Sequence, residues 1–260
     1  MSDTETLSKS SPPPVQIIPL TGLPEVAPGD DLTRLLVEAA QRQKLVIEQG
    51  DVFVVAQKIV SKAEGRIVHL DSIKPSEQAE QWAAEYEKDP RVIEVVLRET
   101  SSIVRMERGV IISRTRHGFV CANAGVDVSN VPGGTVSLLP EDPDRSARAL
   151  QEQLSRAFGV HVTVIISDTF GRPWREGLVN VALGVAGMTP LVDYRGQCDA
   201  HGKMLRATVI ARADELAAAG GLVMGKLSCV PAAVFQGVAI AEGTGSGGDL
   251  IRPAERDLFQ

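Results

Sequence analysis

Two polar clusters in the sequence have residue types that suit the binding of a metal ion. Asp127 and Asn130 lie in "NAGVDVSNVPGG", where small residues allow the backbone to approach a ligand closely. Asp168 and Thr169 follow the apolar run "VTVII", and a carboxylate beside a hydroxyl suits a hard cation such as Mg²⁺ or Mn²⁺. Each cluster comes at the end of an apolar segment, which makes these residues candidate ligands.

A third cluster is positively charged. Lys58 and Lys62 bracket the predicted end of another strand, where ammonium groups would neutralise phosphate oxygens. Together the three clusters would form a metal and phosphate site. Each also has a purely structural interpretation, because Asp127 and Asn130 suit Asx turns, Asp168 suits a helix cap, and the lysines suit a solvated surface. The residue types alone therefore indicate a nucleotide or phosphate enzyme without fixing its reaction.

The common nucleotide and zinc motifs are absent from the sequence. It contains no GxxxxGK[ST] phosphate loop, no GxGxxG after a first strand and no HExxH. The glycine-rich "GTGSGGD" at residues 243–249 lacks a following helix and a lysine, so it is predicted to be a flexible loop. The histidines show no metal-ligand spacing and are assigned structural or surface positions. Trp174 is predicted to pack against apolar neighbours, with a stacking role as the alternative.

The elements that must position the clusters are a mixture of helices and strands. A strand is predicted from Asp51 to about Gln57, and Asp30 and Asp31 are placed to cap the helix before it. Helices are predicted for "LTRLLVEAAQRQ", "PSEQAEQWAAEYEK", "DRSARALQEQLSRAFG" and "ADELAAAGGLVMGK", the last ending at its two glycines. Because strands and helices do not alternate regularly, the predicted fold class is α+β with mixed sheets rather than a doubly wound fold.

The composition is that of a globular protein with a sizeable core. The chain has 260 residues, of which 43% are hydrophobic and 23% charged, with a net charge of -6. An acidic protein has no general attraction for nucleic acid or anionic membranes, so we expect a small ligand held by a local constellation. No apolar run reaches the roughly 18 residues that span a bilayer, and no signal peptide is recognisable, which favours a cytoplasmic location.

The sequence gives little indication of domain boundaries or of disulfide bonds. Residues 1–14 are Pro-rich and predicted to form a disordered tail, followed by one domain over residues 15–260. No linker marks a boundary between subdomains within that domain. Cys121, Cys198 and Cys229 are too few and too widely spaced for a disulfide framework or a zinc site, so they are predicted to be buried thiols.

A series of segments resembles the coenzyme F420-0:L-glutamate ligases, also called F420:γ-glutamyl ligases. In the order of that family, the segments are "GLPEV", "VSKAEGR", "NAGVDVSNVPGG", "SDTFGRPWREG", "VALGVAGMTPLVDYRG", "ADELAAAGGLVMGK" and "LIRPAERDLF". They cover nearly all of the chain after the Pro-rich tail, and several long motifs in one order are a specific signal. The resemblance implies the α+β fold of that family in an intertwined homodimer, and a stand-alone ligase without the flavin-binding C-terminal domain of some relatives.

The activity that the resemblance implies belongs to coenzyme F420 biosynthesis. The enzyme would form an amide between the terminal carboxylate of F420-0 and the amino group of L-glutamate, then add further γ-linked glutamates. GTP is the expected co-substrate, and phosphoryl transfer to the carboxylate would give an acyl phosphate that the amine attacks. Because a triphosphate and a carboxylate repel each other, Mg²⁺ or Mn²⁺ and cationic side chains must draw them together. K⁺ is a further candidate ion.

The resemblance also implies roles for individual residues. Asp127, Asp168 and Thr169 match the positions where the family binds divalent metals, and Asn130 matches a contact with GTP. Further nucleotide-binding positions are Leu23, Pro24, Glu25, Val26, Gln57, Lys62, Met224, Gly225 and Lys226, the last three in a loop that runs to Pro231. The site is thus expected to combine metal ligands with an anion-binding set.

Two positions depart from the family pattern. Gln57 stands where a serine is common, which keeps hydrogen-bonding ability but changes its reach. Lys226 stands where some relatives have an amide or carboxylate that ligates a second metal, and an ammonium group has no lone pair for a cation. Either the second metal is absent or Thr169 and waters hold it, with Lys226 taking over part of its charge.

Arg172 and Arg175 belong to a matched motif, and charge stabilisation on phosphate or substrate is our inference for them.

Two other classes of function fit the same residues. A metal-dependent phosphohydrolase acting on a nucleotide or phosphorylated metabolite would use the two aspartates and the threonine to position an attacking water. A nucleotide-binding module without catalysis would bind GTP and show no turnover. Glutamate-dependent consumption of GTP would separate the ligase from both.

Overall fold

A five-stranded mixed sheet organises the part of the chain that the structure describes. The structure is a computed structural model that describes residues 13–129 and 131–257, so residues 1–12 of the predicted tail lie outside it. In spatial order the strands are β1 (Gln16–Pro19), β12 (Ala232–Gln236), β2 (Val52–Ala56), β8 (Thr163–Arg172) and β9 (Arg175–Ala186). β2 and β8 run parallel, and the other neighbouring pairs run antiparallel. The carboxyl ends of β2 and β8 therefore lie side by side.

Helices cover both faces of this sheet. α1 (Leu32–Arg42) and α5 (Pro143–Phe158) pack on one face, and α6 (Arg212–Met224) packs on the other. Because side chains alternate along a strand, Phe53 lies in the core under α1 and α5, whereas Val54 lies in the core under α6. Both side chains are fully buried, and burial of a side chain of this size contributes about 1.5–3 kcal/mol. The sheet is therefore the middle of three layers, with one apolar core on each of its faces.

The remaining elements form smaller units beside the central sheet. Their bounds are α2 (Gln57–Ala63), β3 (Ile67–His69), α3 (Glu77–Tyr86), α4 (Pro90–Glu99), β4 (Thr100–Glu107), β5 (Val110–Thr115), β6 (Val120–Ala122), β7 (Thr135–Ser137), β10 (Leu191–Asp193) and β11 (Val209–Ala211). β4, β5 and β6 form an antiparallel sheet, β3 pairs with β7, and β10 pairs with β11. Trp82, Ile93 and Ile111 share a core between α3, α4 and β5. Across the described ranges, no helix has the length and apolar character needed to cross a membrane.

The predicted α+β class with mixed sheets is confirmed, and so are the predicted cap of α1 at Asp31 and the predicted end of α5 at Gly159. The Asp31 side chain accepts a hydrogen bond from the backbone N–H of Arg34 and caps α1. Asp30, the other candidate cap, instead accepts from the N–H of Ala27 and closes the preceding turn. Gly159 ends α5 at a φ of 72°, a left-handed conformation that favours glycine.

The strand after "VTVII" is longer than predicted. The sequence predicts that Asp168 and Thr169 lie at the end of this segment, but β8 continues past them into a hairpin with β9, where Thr169 lies opposite Asn180. The turn of this hairpin lies at Trp174, which has a φ of 57° and is 79% exposed, so its predicted packing role is also wrong. The prediction failed because the partner strand that extends β8 lies further along the chain and leaves no local signal.

Helix α6 also continues past its predicted end. Gly220 and Gly221 lie inside the helix, which ends before Gly225. A Cβ at Gly220 would lie 3.0 Å from the side chain of Val54. A Cβ at Gly221 would lie 3.1 Å from the side chain of Asn180. The glycines therefore permit close approach to the sheet, which offsets their helix cost of about 1 kcal/mol each.

The glycine-rich segment at residues 243–249 is packed, so the flexible-loop prediction is wrong. A Cβ at Gly243 would overlap the side chain of Thr189. A Cβ at Gly247 would overlap the carbonyl oxygen of Leu183 on β9. The two glycines therefore permit close packing, Gly243 against the Thr189 side chain and Gly247 against the backbone of β9.

The prediction of buried thiols holds for one cysteine and is wrong for two. Cys121 is buried, and burial together with the nearby charge of Asp168 raises the pKa of its thiol to about 12. Cys198 and Cys229 are exposed because they lie in loops outside the helices and strands.

We expect the cap of α4 to make a pH-dependent contribution to stability. The Asp89 side chain accepts from the N–H of Arg91 and from its guanidinium, and this pairing lowers the pKa of Asp89. A carboxyl whose pKa is lowered by folding stabilises the protein above its ordinary pKa, and that stability disappears as the pH falls through the lowered pKa. Asp89→Ala should therefore lower the free energy of unfolding by about 1 kcal/mol at neutral pH and by less in acid.

Urea unfolding at neutral pH and in acid measures this difference. Asp89→Asn is the matched control, because asparagine caps helices nearly as well as aspartate and lacks the titrating charge. A loss for Asp89→Ala that is the same at both pH values would contradict the charge-dependent cap.

Candidate active site

A cavity of about 610 Å³ opens at the carboxyl ends of the parallel strands β2 and β8. Ala56 and Ser167 pair at this end of the ladder, and both line the cavity. Crevices at the ends of parallel strands are frequent ligand sites, because side chains from several loops converge there. The volume falls within the usual range of small-molecule sites, about 300–1,000 Å³.

Most of the residues that the sequence singles out meet in this cavity. Its lining includes Leu23, Pro24, Glu25, Val26, Gln57, Lys58, Lys62, Asp127, Asp168, Thr169, Met224, Gly225 and Lys226. Arg172 and Arg175 do not line it, and Asn130 lies outside the residues that the structure describes. The three predicted clusters are thus neighbours in space although they are distant along the chain.

Asp168 presents a half-buried carboxylate to the cavity. Burial raises its pKa, and the charge of Asp127 acts in the same direction. The backbone N–H of Thr169 and the ammonium groups of Lys226 and Lys58 oppose that rise. An ionised carboxylate in a buried position is costly unless positive charge lies nearby. The surroundings of Asp168 therefore favour the binding of a cation.

Asp127 is held by hydrogen bonds from Lys58 and Ser129. Lys58 Nζ donates to Asp127 Oδ2 at 2.5 Å and to the carbonyl oxygen of Ser129 at 2.9 Å. The N–H of Ser129 donates to Asp127 Oδ1 at 2.7 Å, which forms an Asx turn. Burial alone would raise the pKa of Asp127, but the hydrogen bonds from Lys58 and Ser129 outweigh burial and lower it. The Asx turn thus coexists with a position on the cavity wall, where it fixes the carboxylate.

The two lysines of the positive cluster lie on helix α2, not at the strand end that the sequence suggests. Lys62 is 8% exposed and forms an ion pair with Glu25, whose side chain is 84% exposed. On the same helix, Ser61 Oγ donates to Gln57 Oε1 at 2.9 Å. Both residues line the cavity, so an anionic ligand there could take the place of the exposed Glu25 carboxylate at the Lys62 ammonium group.

Lys226 follows α6 and extends to the part of the cavity wall that contains Asp127 and Asp168, which we call the acidic side. Its Nζ donates to Thr169 Oγ1 at 2.5 Å, and Thr169 Oγ1 donates to Asn180 Oδ1 at 2.7 Å. Lys226 therefore contacts the hydroxyl that the resemblance assigns to metal binding. The replacement of a second metal by this ammonium group stays a prediction.

Arg172 and Arg175 lie at the tip of the β8–β9 hairpin. Arg172 donates to the backbone carbonyl oxygens of Glu176 and Gly177, which closes the tip. Leu178 on the same hairpin lines the cavity and is 68% exposed. Charge stabilisation by the two arginines stays a prediction.

Two further cavity residues, Ser167 and Asn180, are not singled out by the sequence patterns. Ser167 is 2% exposed, and its Oγ has no hydrogen-bond partner within the described ranges. Its position directly before Asp168 is the one local signal that could have indicated it. Asn180 faces Thr169 across the hairpin, and only the strand register reveals this contact.

The oxygen donors of the cavity suit a hard divalent cation. Asp127 and Asp168 offer carboxylate oxygens and Thr169 offers a hydroxyl, which are ligands of the kind that Mg²⁺ and Mn²⁺ prefer. Within residues 13–129 and 131–257, no group of three or more His, Cys, Asp or Glu side chains could hold a metal by itself. A cation here would therefore take its other ligands from water and from phosphate oxygens, as Mg²⁺ does with nucleotides.

Comparison with known proteins gives a consistent result. Residues 22–237 match the model of a family described as F420-0:Gamma-glutamyl ligase. A coenzyme F420:L-glutamate ligase of Methanothermobacter thermautotrophicus is 46% identical over 249 residues, which is 95% of this chain and 99% of that protein. Proteins of the same name from Methanopyrus kandleri and Methanocaldococcus jannaschii are 47% and 43% identical, over 95% and 82% of this chain and 98% and 86% of their own lengths.

Proposed function

The chain belongs to the F420-0:gamma-glutamyl ligase family, and on this premise we propose that it uses GTP to join F420-0 to L-glutamate. It is a ligase of coenzyme F420 biosynthesis. In the proposed reaction, the terminal carboxylate of F420-0 becomes an amide with the amino group of glutamate, and further glutamates follow through γ-linkages. An acyl phosphate is the proposed intermediate.

The observation that carries this proposal is the meeting of opposite charges in one cavity. Asp127 and Asp168 line it together with Lys58, Lys62 and Lys226. A triphosphate and a carboxylate substrate are both anionic, and two unit charges 4 Å apart repel by about 4 kcal/mol at an effective dielectric constant of 20. Three ammonium groups offset this repulsion and allow the reacting oxygen to approach phosphorus.

We place the nucleotide against the part of the wall formed by residues 23–26, Gln57, Lys62 and the segment after α6. This placement follows the resemblance, and the structure adds that these residues line one continuous cavity. The Lys62 ammonium group would leave Glu25 to contact phosphate oxygens. Lys58 and Lys226 lie on the acidic side, where charge on the transferred phosphoryl group would develop.

The proposed divalent-cation site consists of Asp127, Asp168 and Thr169. When bound, Mg²⁺ or Mn²⁺ would bind phosphate oxygens and withdraw negative charge from the transferred phosphoryl group. The chain's own contribution is to hold the ligands in place, through the Asx turn at Asp127 and the strand pairing at Thr169. K⁺ stays a candidate ion without an assigned residue.

In the first proposed step, a carboxylate oxygen of F420-0 attacks the γ-phosphorus of GTP. The new oxygen–phosphorus bond gives the acyl phosphate, and the bond to the GDP oxygen breaks. In the second step, the glutamate amine attacks the acyl carbon, the bond from that carbon to the phosphate oxygen breaks, and the departing phosphate takes up the proton that the amine loses. Val26 and Met224 are buried apolar residues of the cavity wall, which makes part of the cavity lining apolar. This route needs no covalent nucleophile from the protein.

We also propose the intertwined homodimer that the resemblance implies. Trp174 and Leu178 expose apolar side chains on the β8–β9 hairpin, and Ile103 and Val104 do so on β4. Large exposed apolar side chains are frequent at protein interfaces, which supports association of two chains. Leu178 also lines the cavity, so such an interface would lie next to the site.

Incubation of the purified protein with F420-0, GTP, Mg²⁺ or Mn²⁺ and glutamate tests the proposed activity. We expect mass spectrometry to show stepwise addition of glutamyl residues, with one GDP released for each amide. Omission of glutamate should stop sustained release of GDP. Rapid GDP release without glutamate and without a glutamylated product would instead support the metal-dependent phosphohydrolase.

A further inference from the structure

We propose that Asn180 is a positioning residue that directs the Thr169 hydroxyl toward the cation. The inference rests on the proposed divalent-cation site, and it concerns a residue that neither the sequence patterns nor the resemblance assigns. Asn180 lines the cavity, and its side-chain oxygen contacts Thr169. Its role is to decide where the hydroxyl proton points.

The direction of that proton follows from the chemistry of the three side chains. Lys226 Nζ lies 2.5 Å from Thr169 Oγ1, and an ammonium group can only donate a hydrogen bond. Thr169 Oγ1 must therefore accept from Lys226 and give its own proton to another group. The acceptor is Asn180 Oδ1 at 2.7 Å, since an amide oxygen can only accept. The hydroxyl lone pairs consequently face Lys226 and the cavity.

The same arrangement suits a cation. A hydroxyl ligates a metal through a lone pair, so its proton must point away from the ion. With the proton held by Asn180, Thr169 presents a lone pair to the cavity without rotating. Without that acceptor, the hydroxyl is free to turn its proton toward the cation position, where the proton would repel the positive charge.

Two features of the fold hold Asn180 in this position. Asn180 lies directly opposite Thr169 in the β8–β9 ladder, which keeps the two side chains on the same face of the hairpin. Helix α6 passes over the amide at Gly221, where a Cβ would lie 3.1 Å from Asn180 Nδ2. A glycine inside a helix is unfavourable, and the room that it leaves for the amide explains its presence. The backbone thus limits both the position and the rotation of the side chain.

Binding of Mn²⁺ to the nucleotide-free protein, followed by electron paramagnetic resonance, tests the inference without reference to catalysis. Asn180→Leu keeps the approximate size and removes the acceptor, so we expect Mn²⁺ affinity to fall about tenfold, as for outer-sphere partners of other metal sites. Asn180→Asp keeps an acceptor oxygen and should bind Mn²⁺ at least as tightly as the wild type. Asn180→Ala removes the same oxygen without a branched side chain and serves if Asn180→Leu does not fold.

Thr169→Val separates positioning from a general structural effect. If Asn180 acts through the hydroxyl, Thr169→Val combined with Asn180→Leu should bind Mn²⁺ no more weakly than Thr169→Val alone. Additive losses, or wild-type affinity in Asn180→Leu and Asn180→Ala, would overturn the inference. If the wild type binds no Mn²⁺ without nucleotide, the same variants are compared in the presence of GDP, whose phosphate oxygens can complete the coordination. Failure of the wild type to bind Mn²⁺ there too would remove the metal site proposed above, and with it the premise.

Discussion

Asp168→Asn should lower the rate of glutamylation about a thousandfold, which corresponds to about 4 kcal/mol of transition-state stabilisation. The substitution keeps the size of the side chain and removes its negative charge. Asp168 lies in a half-buried position among Lys58, Lys226 and Asp127, where desolvation raises its pKa and disfavours the ionised carboxylate without a bound cation. Its charge is therefore expected to serve the chemistry and not the fold.

The stability of the variant should match this interpretation. Because neutral asparagine needs no compensating charge in a buried position, we expect thermal unfolding of Asp168→Asn at or above the wild-type temperature. Asp214→Asn is the matched control, since burial also raises the pKa of Asp214, which does not line the cavity. The control should retain activity, because asparagine can still accept the N–H of Ala182 that Asp214 accepts at 2.9 Å. A tenth or more of wild-type activity in Asp168→Asn would contradict the assignment.

Gly184→Ala should have the largest effect on stability. A Cβ at Gly184 would overlap the carbonyl oxygen of Pro143, at the start of α5, so strand and helix must separate. That separation would also break the hydrogen bond from the N–H of Val185 to Asp144 Oδ1. Overpacking against backbone, with loss of this bond, should lower the free energy of unfolding by about 3 kcal/mol or more.

Urea denaturation compares this variant with Gly133→Ala. A Cβ at Gly133 would meet nothing within 4 Å, so the control should stay within about 0.5 kcal/mol of the wild type. If Gly184→Ala were equally harmless, the close packing of α5 on β9 would be wrong. Because β8 pairs with β9 beside the cavity, loss of this packing should also reduce activity at moderate temperature.

Features with a local cause could be predicted from the sequence. The Asp31 cap, the Gly159 stop and the strand at β2 all follow from residues next to one another in the chain. The acidic and basic clusters could be recognised for the same reason. Polar residues follow apolar runs at Asp127 and Asp168, and the lysines follow the strand at β2. Their meeting in one cavity was an expectation that the strand order now explains.

Features with a long-range cause could not be predicted in this way. The extension of β8 depends on β9, and the contact of Thr169 with Asn180 depends on the register between them. The sequence pattern predicts a helix end at Gly221, but the residue lies inside α6, and its lack of a side chain leaves room for Asn180. These positions break local rules to serve contacts between distant segments, and they surround the candidate site.

The most direct test of the proposed carboxylate activation is the transfer of an oxygen atom. F420-0 with ¹⁸O in its terminal carboxylate would be incubated with the protein, GTP, Mg²⁺ or Mn²⁺ and glutamate, and the released phosphate analysed by mass spectrometry. If the carboxylate attacks phosphorus and the amine then displaces phosphate, each amide formed leaves one ¹⁸O in the phosphate. Amide formation with unlabelled phosphate would contradict the acyl phosphate and the role proposed for this cavity.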